Sequence, residues 1–204
     1  MVTSDRNIFA VGRPHLGTAI TTYDGLAIGN TNFTVPSLFK DLSTYESALY
    51  VQNTSPTTQA NITMKFYDMT GNLTCTQTDS IPLLSSHGYW FPNLSCLGSS
   101  WEGSVKITSN QAVVAVARLH NGADVGSFDG FIGGNPLVYI PMLFNNMWDT
   151  YNSTLTVQNA DASNAANLTI KFYDVNGNYT CKRTDSLPAL GQIDYWLPSL
   201  FCTP

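Results

Sequence analysis

Residues 1–39 align without a gap onto residues 106–144, and residues 151–204 align onto 45–98, so one repeat runs through the chain in permuted order. The first match has an offset of 105 and 14 identities in 39 positions, among them Ala10-Val11 on Ala115-Val116, Arg13 on Arg118, His15 on His120 and Asp24-Gly25 on Asp129-Gly130. The second has an offset of 106 and 27 identities in 54, from Tyr45 on Tyr151 through Val51-Gln52-Asn53 and Lys65-Phe66-Tyr67-Asp68 to Cys96 on Cys202. Read in order, the chain is the closing part of a unit, a whole unit of about 105 residues, and the opening part of another. Each repeat must bury its own apolar face, so the repeat limits the possible folds before composition does.

A length of 204 residues fits two domains, in agreement with the repeat. Charged residues make up only 11%, against about 25% in an average protein, which leaves a neutral, hydroxyl-rich surface. Nine scattered Lys and Arg and a net charge of -5 offer no basic stripe, so neither nucleic acid nor membrane insertion is expected. The most apolar stretch, around residues 112–117, is too short to span a bilayer, and residues 1–20 lack a signal peptide's apolar run. A secreted form is then expected to be this mature chain or an excerpt of one.

The cysteines obey the repeat: Cys75 and Cys96 lie 21 apart, as do Cys181 and Cys202. Of three connectivities, only Cys75 to Cys96 with Cys181 to Cys202 gives both units the same bridge; buried free thiols are the alternative. Such bridges imply an oxidising compartment, and one closing a loop of this size contributes roughly 3 kcal/mol. Eight Asn-x-Ser/Thr sequons stand at Asn32, Asn53, Asn61, Asn72, Asn93, Asn152, Asn167 and Asn178, where 18 Asn and 41 Ser plus Thr give about four by chance. Around Asn61 and Asn167 the apolar residues alternate with polar ones, which points both asparagines to solvent. Asn72 and Asn178 fall in the turns that follow. These are positions where an N-glycan fits.

Each unit reads as short strands separated by turn residues, with no amphipathic helix, so the expected class is all-β. Strands are predicted near residues 47–52, 61–67, 74–81, 88–91, 103–108 and 112–119, with hairpin turns at Asp68-Met69-Thr70-Gly71-Asn72 and Asp174-Val175-Asn176-Gly177-Asn178. Six or seven strands in about 100 residues, with a disulfide and a Trp, resemble an immunoglobulin-like sandwich. Segments 16–44 and 121–150 are expected to be connectors between a first sandwich at 45–120 and a second at 151–204.

The apolar run Ala112-Val113-Val114-Ala115-Val116-Ala117-Arg118 is the mark of a central strand. Its counterpart for the second sandwich is Asn7-Ile8-Phe9-Ala10-Val11-Gly12-Arg13, within residues 1–15, so the second sandwich is expected to present an open edge, which is a template for another strand. Entry of that strand into another copy is a heterologous contact that propagates into a filament. Burying Ile8, Phe9 and Val11 would contribute roughly 4 to 9 kcal/mol before association costs. Folding back into its own molecule gives a closed monomer instead.

This cut repeat resembles donor-strand exchange in bacterial pilus subunits and pilus-like extracellular glycoprotein fibrils of two-domain protomers. The Val-Gln-Asn, Phe-Tyr-Asp and Gly-Asn pattern is similar to repeats of bacterial surface proteins. The resemblance implies a non-enzymatic, secreted, cell-surface appendage whose partners are other copies of itself in a head-to-tail homopolymer. The alternative is a monomeric adhesin or carbohydrate-binding module closed by its own N-terminal strand.

No cofactor, metal or catalytic group is assigned from the residues. His15 and His120 repeat as scaffold, and His87, matched by Ile193, reads as a loop histidine. The Asp174 turn lacks the Glu of a calcium loop, Asp185 standing in its place. The acids Asp68, Asp79 and Asp129 recur as Asp174, Asp185 and Asp24, so they read as structural positions and not as a paired catalytic set. Tyr67, Tyr173, Trp101 and Trp148 are expected to be exposed aromatics, packed under glycans or in a protomer interface, or else forming a sugar-binding face.

Overall fold

The structure, a computed structural model, describes residues 1–17 and 19–200. In chain order its strands are β1 (Val11–Gly12), β2 (His15–Leu16), β3 (Ala19–Ile20), β4 (Tyr23–Asp24), β5 (Asn30–Lys40), β6 (Tyr45–Asn53), β7 (Ala60–Asp68), β8 (Leu73–Ile81), β9 (Ser86–Trp90), β10 (Trp101–Asn121), β11 (Asp124–Asp129), β12 (Thr154–Gln158), β13 (Ala166–Tyr173), β14 (Tyr179–Leu187) and β15 (Gln192–Trp196). Two single turns of 3-10 helix, Phe91–Asn93 and Leu197–Ser199, are the helical elements among the described residues. The all-β class follows from the two-residue alternation of apolar and polar side chains, which suits a pleated strand and no helix. The chain divides into two compact units, one formed by Met1–Phe66 with Thr74–Ile132, the other by Tyr67–Leu73 with the residues from Gly133 onward.

In the first unit β10 is the organising strand. Its first half pairs with β5 from Trp101↔Lys40 to Thr108↔Asn32, with a register shift before Val113. Its second half pairs with β6 from Val113↔Asn53 to Asn121↔Tyr45 and on its other edge with β11 from Val116↔Asp129 to Asn121↔Asp124. With both edges of the second half taken, β7, which also neighbours β10, occupies the free edge of the first half. The result is a sandwich-like pair of layers, β5-β10-β7-β8 and β11-β10-β6-β9, sharing one bent strand. The predicted strands at 103–108 and 112–119 are therefore one element of 21 residues, because the intervening Ser109-Asn110-Gln111 stay extended and the irregular register bends the strand between layers. Phe33, Val35, Leu49, Val51, Ile62, Met64, Phe66, Ile107, Val113, Ala115 and Ala117 fill the space between the layers.

The expected connector at 16–44 contains β5, which supplies Phe33, Val35 and Leu38 to this core, and the one at 121–150 begins with β11. Both segments belong to the sandwich where they pair with β10. Their Thr, Asn and Gly content hid the strand alternation in the sequence.

In the second unit β12 pairs with β15 and β13 with β14, as two separate two-stranded sheets. Leu155, Tyr195 and Leu197 form its buried apolar cluster, with Val157, Leu168, Ile170 and Ile193 half-buried around them, and Leu187 and Leu190 are buried as well. Cys75 and Cys96 form the expected disulfide, with a Cα–Cα separation of 5.7 Å. Cys181 is buried at the equivalent place, and its expected partner Cys202 lies outside the described residues.

Candidate functional site

The site is the position that β10 fills in the first unit and that no strand fills in the second among the described residues. In the first unit β6 and β7 both border β10; among the described residues their counterparts β12 and β13 each have a single partner. The side chains facing that position respond accordingly. Ile62, Met64 and Phe66 of β7 are fully buried, whereas the equivalent Leu168, Ile170 and Phe172 of β13 are half-exposed. Val51 is buried and its counterpart Val157 half-exposed. The stretch equivalent to β5 shows the same loss: Val138 is 66% exposed where Phe33 is 2%, since β5 is held by its ladder to β10. Apolar surface left open beside two unpaired strand edges is an association site in chemical character, because burial and ladder hydrogen bonds are both available to an incoming strand.

The predicted donor residues join no large sheet, although their hairpin touches β11, where the hydroxyls of Thr21 and Ser127 are 2.8 Å apart. Val11-Gly12 pairs with Tyr23-Asp24, and Ile8, Phe9 and Val11 are 49%, 103% and 60% exposed. Ile8, Ala10, Tyr23 and Gly25 line a cavity of about 700 Å³ over Tyr50, Val114, Val116 and Arg118 on the outer face of the first unit's own sheet. With Ile8, Phe9 and Val11 so exposed, the segment rests over this open cleft without the close packing of a core. Arg118 Nε and Nη2 are buried beneath it with no hydrogen-bond partner among the described residues.

The first unit also shows which side chains of β10 face inward. Val113, Ala115 and Ala117 are fully buried, while Val114 and Val116 are half-buried on the opposite face. By the repeat offset these inward positions correspond to Ile8, Ala10 and Gly12. Phe9, Val11 and Arg13 correspond to the opposite face, and Asn7 precedes them. A two-residue period fixes this assignment once the register is known.

Of the sequon asparagines, Asn32, Asn61, Asn72, Asn93, Asn167 and Asn178 are exposed and Asn152 is half-buried. Asn53 is fully buried, and its Nδ2 donates to the carbonyls of Thr58, Ile81 and Pro82. Its amide is occupied by the fold, so Asn53 is removed from the candidate glycosylation sites. Asn159, which is not in a sequon, makes the same three bonds to Asn164, Leu187 and Pro188.

Asp79 accepts hydrogen bonds from His87 at 2.8 Å and Tyr89 at 2.7 Å, which places His87 on β9 and not in a loop. Burial alone would raise the Asp79 carboxyl, but these two bonds outweigh it and hold the group below the usual carboxylate range. In the second unit Asp185 accepts a bidentate contact from Arg183 at 2.7 and 3.1 Å and a bond from Tyr195 at 2.7 Å; the Arg183 bond is the chief reason its carboxyl is also lowered. Asp–Tyr pairing recurs while the third partner changes strand, from His87 on β9 to Arg183 on β14. Asp174 accepts from the backbone N–H groups of Asn176 and Asn178 in its own turn, as Asp68 does from Thr70 and Asn72. His120 packs edge-on against Trp90 with ring centroids 5.1 Å apart.

The four aromatics expected at the surface divide. Tyr173 and Trp148 are exposed and Tyr67 is half-buried, but Trp101 is only 7% exposed. It packs edge-on against Phe66 and tilted against Phe91, because β10 turns it inward at the end of the core.

The chain matches no protein-family model and no curated protein. Among solved structures, the crystal structure of Thermotoga maritima 1070 is similar to it with a TM-score of 0.44 and 16% identity, over 50% of this chain and 94% of that one. No helix among the described residues is long and apolar enough to cross a membrane, and the Cys75–Cys96 disulfide is compatible with a secreted protein.

Proposed function

We propose that this protein is the structural subunit of an extracellular, N-glycosylated filament, built from immunoglobulin-like sandwiches and polymerised by insertion of its N-terminal strand into the second unit of another copy. The observation that carries the reading is the open position beside β12 and β13, bordered by half-exposed Val157, Leu168, Ile170 and Phe172. The N-terminal segment is the one stretch outside β10 whose sequence repeats the strand that fills the position in the first unit.

Spacing supports another copy as the donor. Gly25 precedes Tyr45 by 20 residues, and its counterpart Gly130 precedes Tyr151 by 21. Residues 7–25 therefore stand before the first unit as the end of β10 and β11 stand before the second. By that periodicity they belong to a preceding unit, and in a row of identical subunits the preceding unit is the second unit of a neighbour.

Deletion of residues 1–15 followed by electron microscopy and sedimentation tests the reading. Loss of filaments is the expected result; filaments of unchanged morphology would defeat it.

A further inference from the structure

Resting on that reading, a second regularity describes the form in which the donor enters. Val11 pairs with Asp24 and Gly12 with Tyr23, as Val116 pairs with Asp129 and Ala117 with Phe128. His15 pairs with Ile20 and Leu16 with Ala19, as His120 pairs with Val125 and Asn121 with Asp124. All four pairs superpose at the single offset of 105. Gly25 N–H donates to Ala10 O at 2.8 Å, and Gly130 N–H to Ala115 O at 2.8 Å. The glycines that open the two turns, Gly17 and Gly122, share a φ of 59°, in the left-handed region that a tight hairpin turn uses.

We propose that the donor is a ready-made two-stranded hairpin, residues 7–25, which enters the neighbour's second unit whole and takes the places of both the end of β10 and β11. Its core-facing side is Ile8, Ala10, Gly12 and Tyr23. Tyr23 corresponds to Phe128, which packs against the first unit's core. Gly12 makes room for Tyr23, since a Cβ there would overlap the ring. Transferring the β10–β6 register by the repeat offsets sets Ala10 opposite Val157, Val11 opposite Thr156 and Gly12 opposite Leu155 on the open edge of β12.

A hairpin formed before docking has already lost the backbone freedom that a lone strand would surrender on entry, so it binds more tightly for the same contacts. The second strand also covers the outer edge of the first, which would otherwise remain unpaired in the filament.

Competition in polymerisation of the intact chain tests this. Three synthetic peptides are compared as blockers of filament growth followed by light scattering: residues 1–15, residues 1–26, and residues 1–26 stapled by a Val11→Cys and Asp24→Cys disulfide. Growth is expected to be blocked by the stapled hairpin at a concentration at least about tenfold lower than by residues 1–15, with the linear longer peptide between them. Equal potency of the short and long peptides, or loss of potency on stapling, would overturn the hairpin and leave strand insertion standing. If none of the peptides affects growth while filaments form, strand insertion falls with it. A second arm reads the register in the full chain. The pair Val11→Cys with Thr156→Cys should give a ladder of disulfide-linked oligomers on a non-reducing gel, and Val11→Cys with Val157→Cys should give less than about a tenth as much, because a one-residue shift turns the side chains to opposite faces. Monomers of the first double variant that close the engineered disulfide internally, or equal ladders from both pairs, would overturn the proposed docking.

Discussion

Asn53 and Asn159 show how one side chain can tie a unit together. Each closes the loop between two strands by donating to carbonyls 5, 28 and 29 residues away. Asn53→Ala should cost about 2 to 4 kcal/mol in urea unfolding, because it strips donors from buried carbonyls. Glycopeptide mapping should find Asn53 unmodified while Asn61 and Asn72 carry glycans. Asp79 and Asp185 titrate in the opposite sense to a group that is merely buried. Their folded-state pKa values lie below the ordinary range, so their contribution to stability is complete above the unfolded carboxylate value of about 4 and disappears as pH falls through the folded one. The stability gap between the wild type and Asp79→Asn, measured by urea midpoints, should therefore be wide at pH 7 and narrow near pH 2.5; an equal gap at both would refute the linkage. The repeat marked both aspartates as structural positions, yet it concealed their partners, since His87 reaches Asp79 from the next strand while Arg183 stands two residues before Asp185 on the same one.

Among elements, β7 and β13 form a natural pair of controls. Their sequences differ at two of the inward positions, Ile62 against Leu168 and Met64 against Ile170, and agree at Phe66 and Phe172. Identical patterns nevertheless have different burial, because β7 borders β10 whereas β13, among the described residues, pairs with β14 alone. Phe66→Ala should cost about 3 to 5 kcal/mol in the unpolymerised chain, and Phe172→Ala less than half as much. In assembled filaments the Phe172→Ala penalty should grow, read as faster dissociation on dilution. The alternation that defines β7, β8, β13 and β14 was legible in sequence to within a residue or two. That of β5 was not, because its exposed Asn and Thr positions resemble a loop until the ladder to β10 is seen. Nor could the sequence show β10 to be continuous, since Ser109-Asn110-Gln111 is locally a turn signal that the flanking pairings override.

At the scale of the molecule, the two units share a pattern and differ in burial. One encloses its core on both sides of β10, while in the other, among the described residues, β12 and β13 have one partner strand each and an apolar face that is half-exposed. Six exposed sequons lie over both units, so intact mass should fall on enzymatic deglycosylation toward the polypeptide's 22.3 kDa. A secreted protein already at that mass before treatment would remove the glycofibre reading and leave strand insertion untouched. Filaments joined through buried strands should also resist dilution and salt while failing in denaturant, since apolar burial and backbone ladders are little affected by ionic screening.

Repetition, β alternation and the shared cysteine spacing are properties of neighbouring residues, and the sequence alone determined them: an all-β chain, two related units, and an N-terminal copy of a central strand. Tertiary structure decided what depends on contacts between distant residues. It buried Asn53 and Trp101, drew β5 and β11 into the sandwich, and turned Val113, Ala115 and Ala117 of β10 inward in place of Val114 and Val116. The division has one physical cause. Local periodicity says which side chains share a face, but only the partner strand, with its register and its bend, says which face is inside.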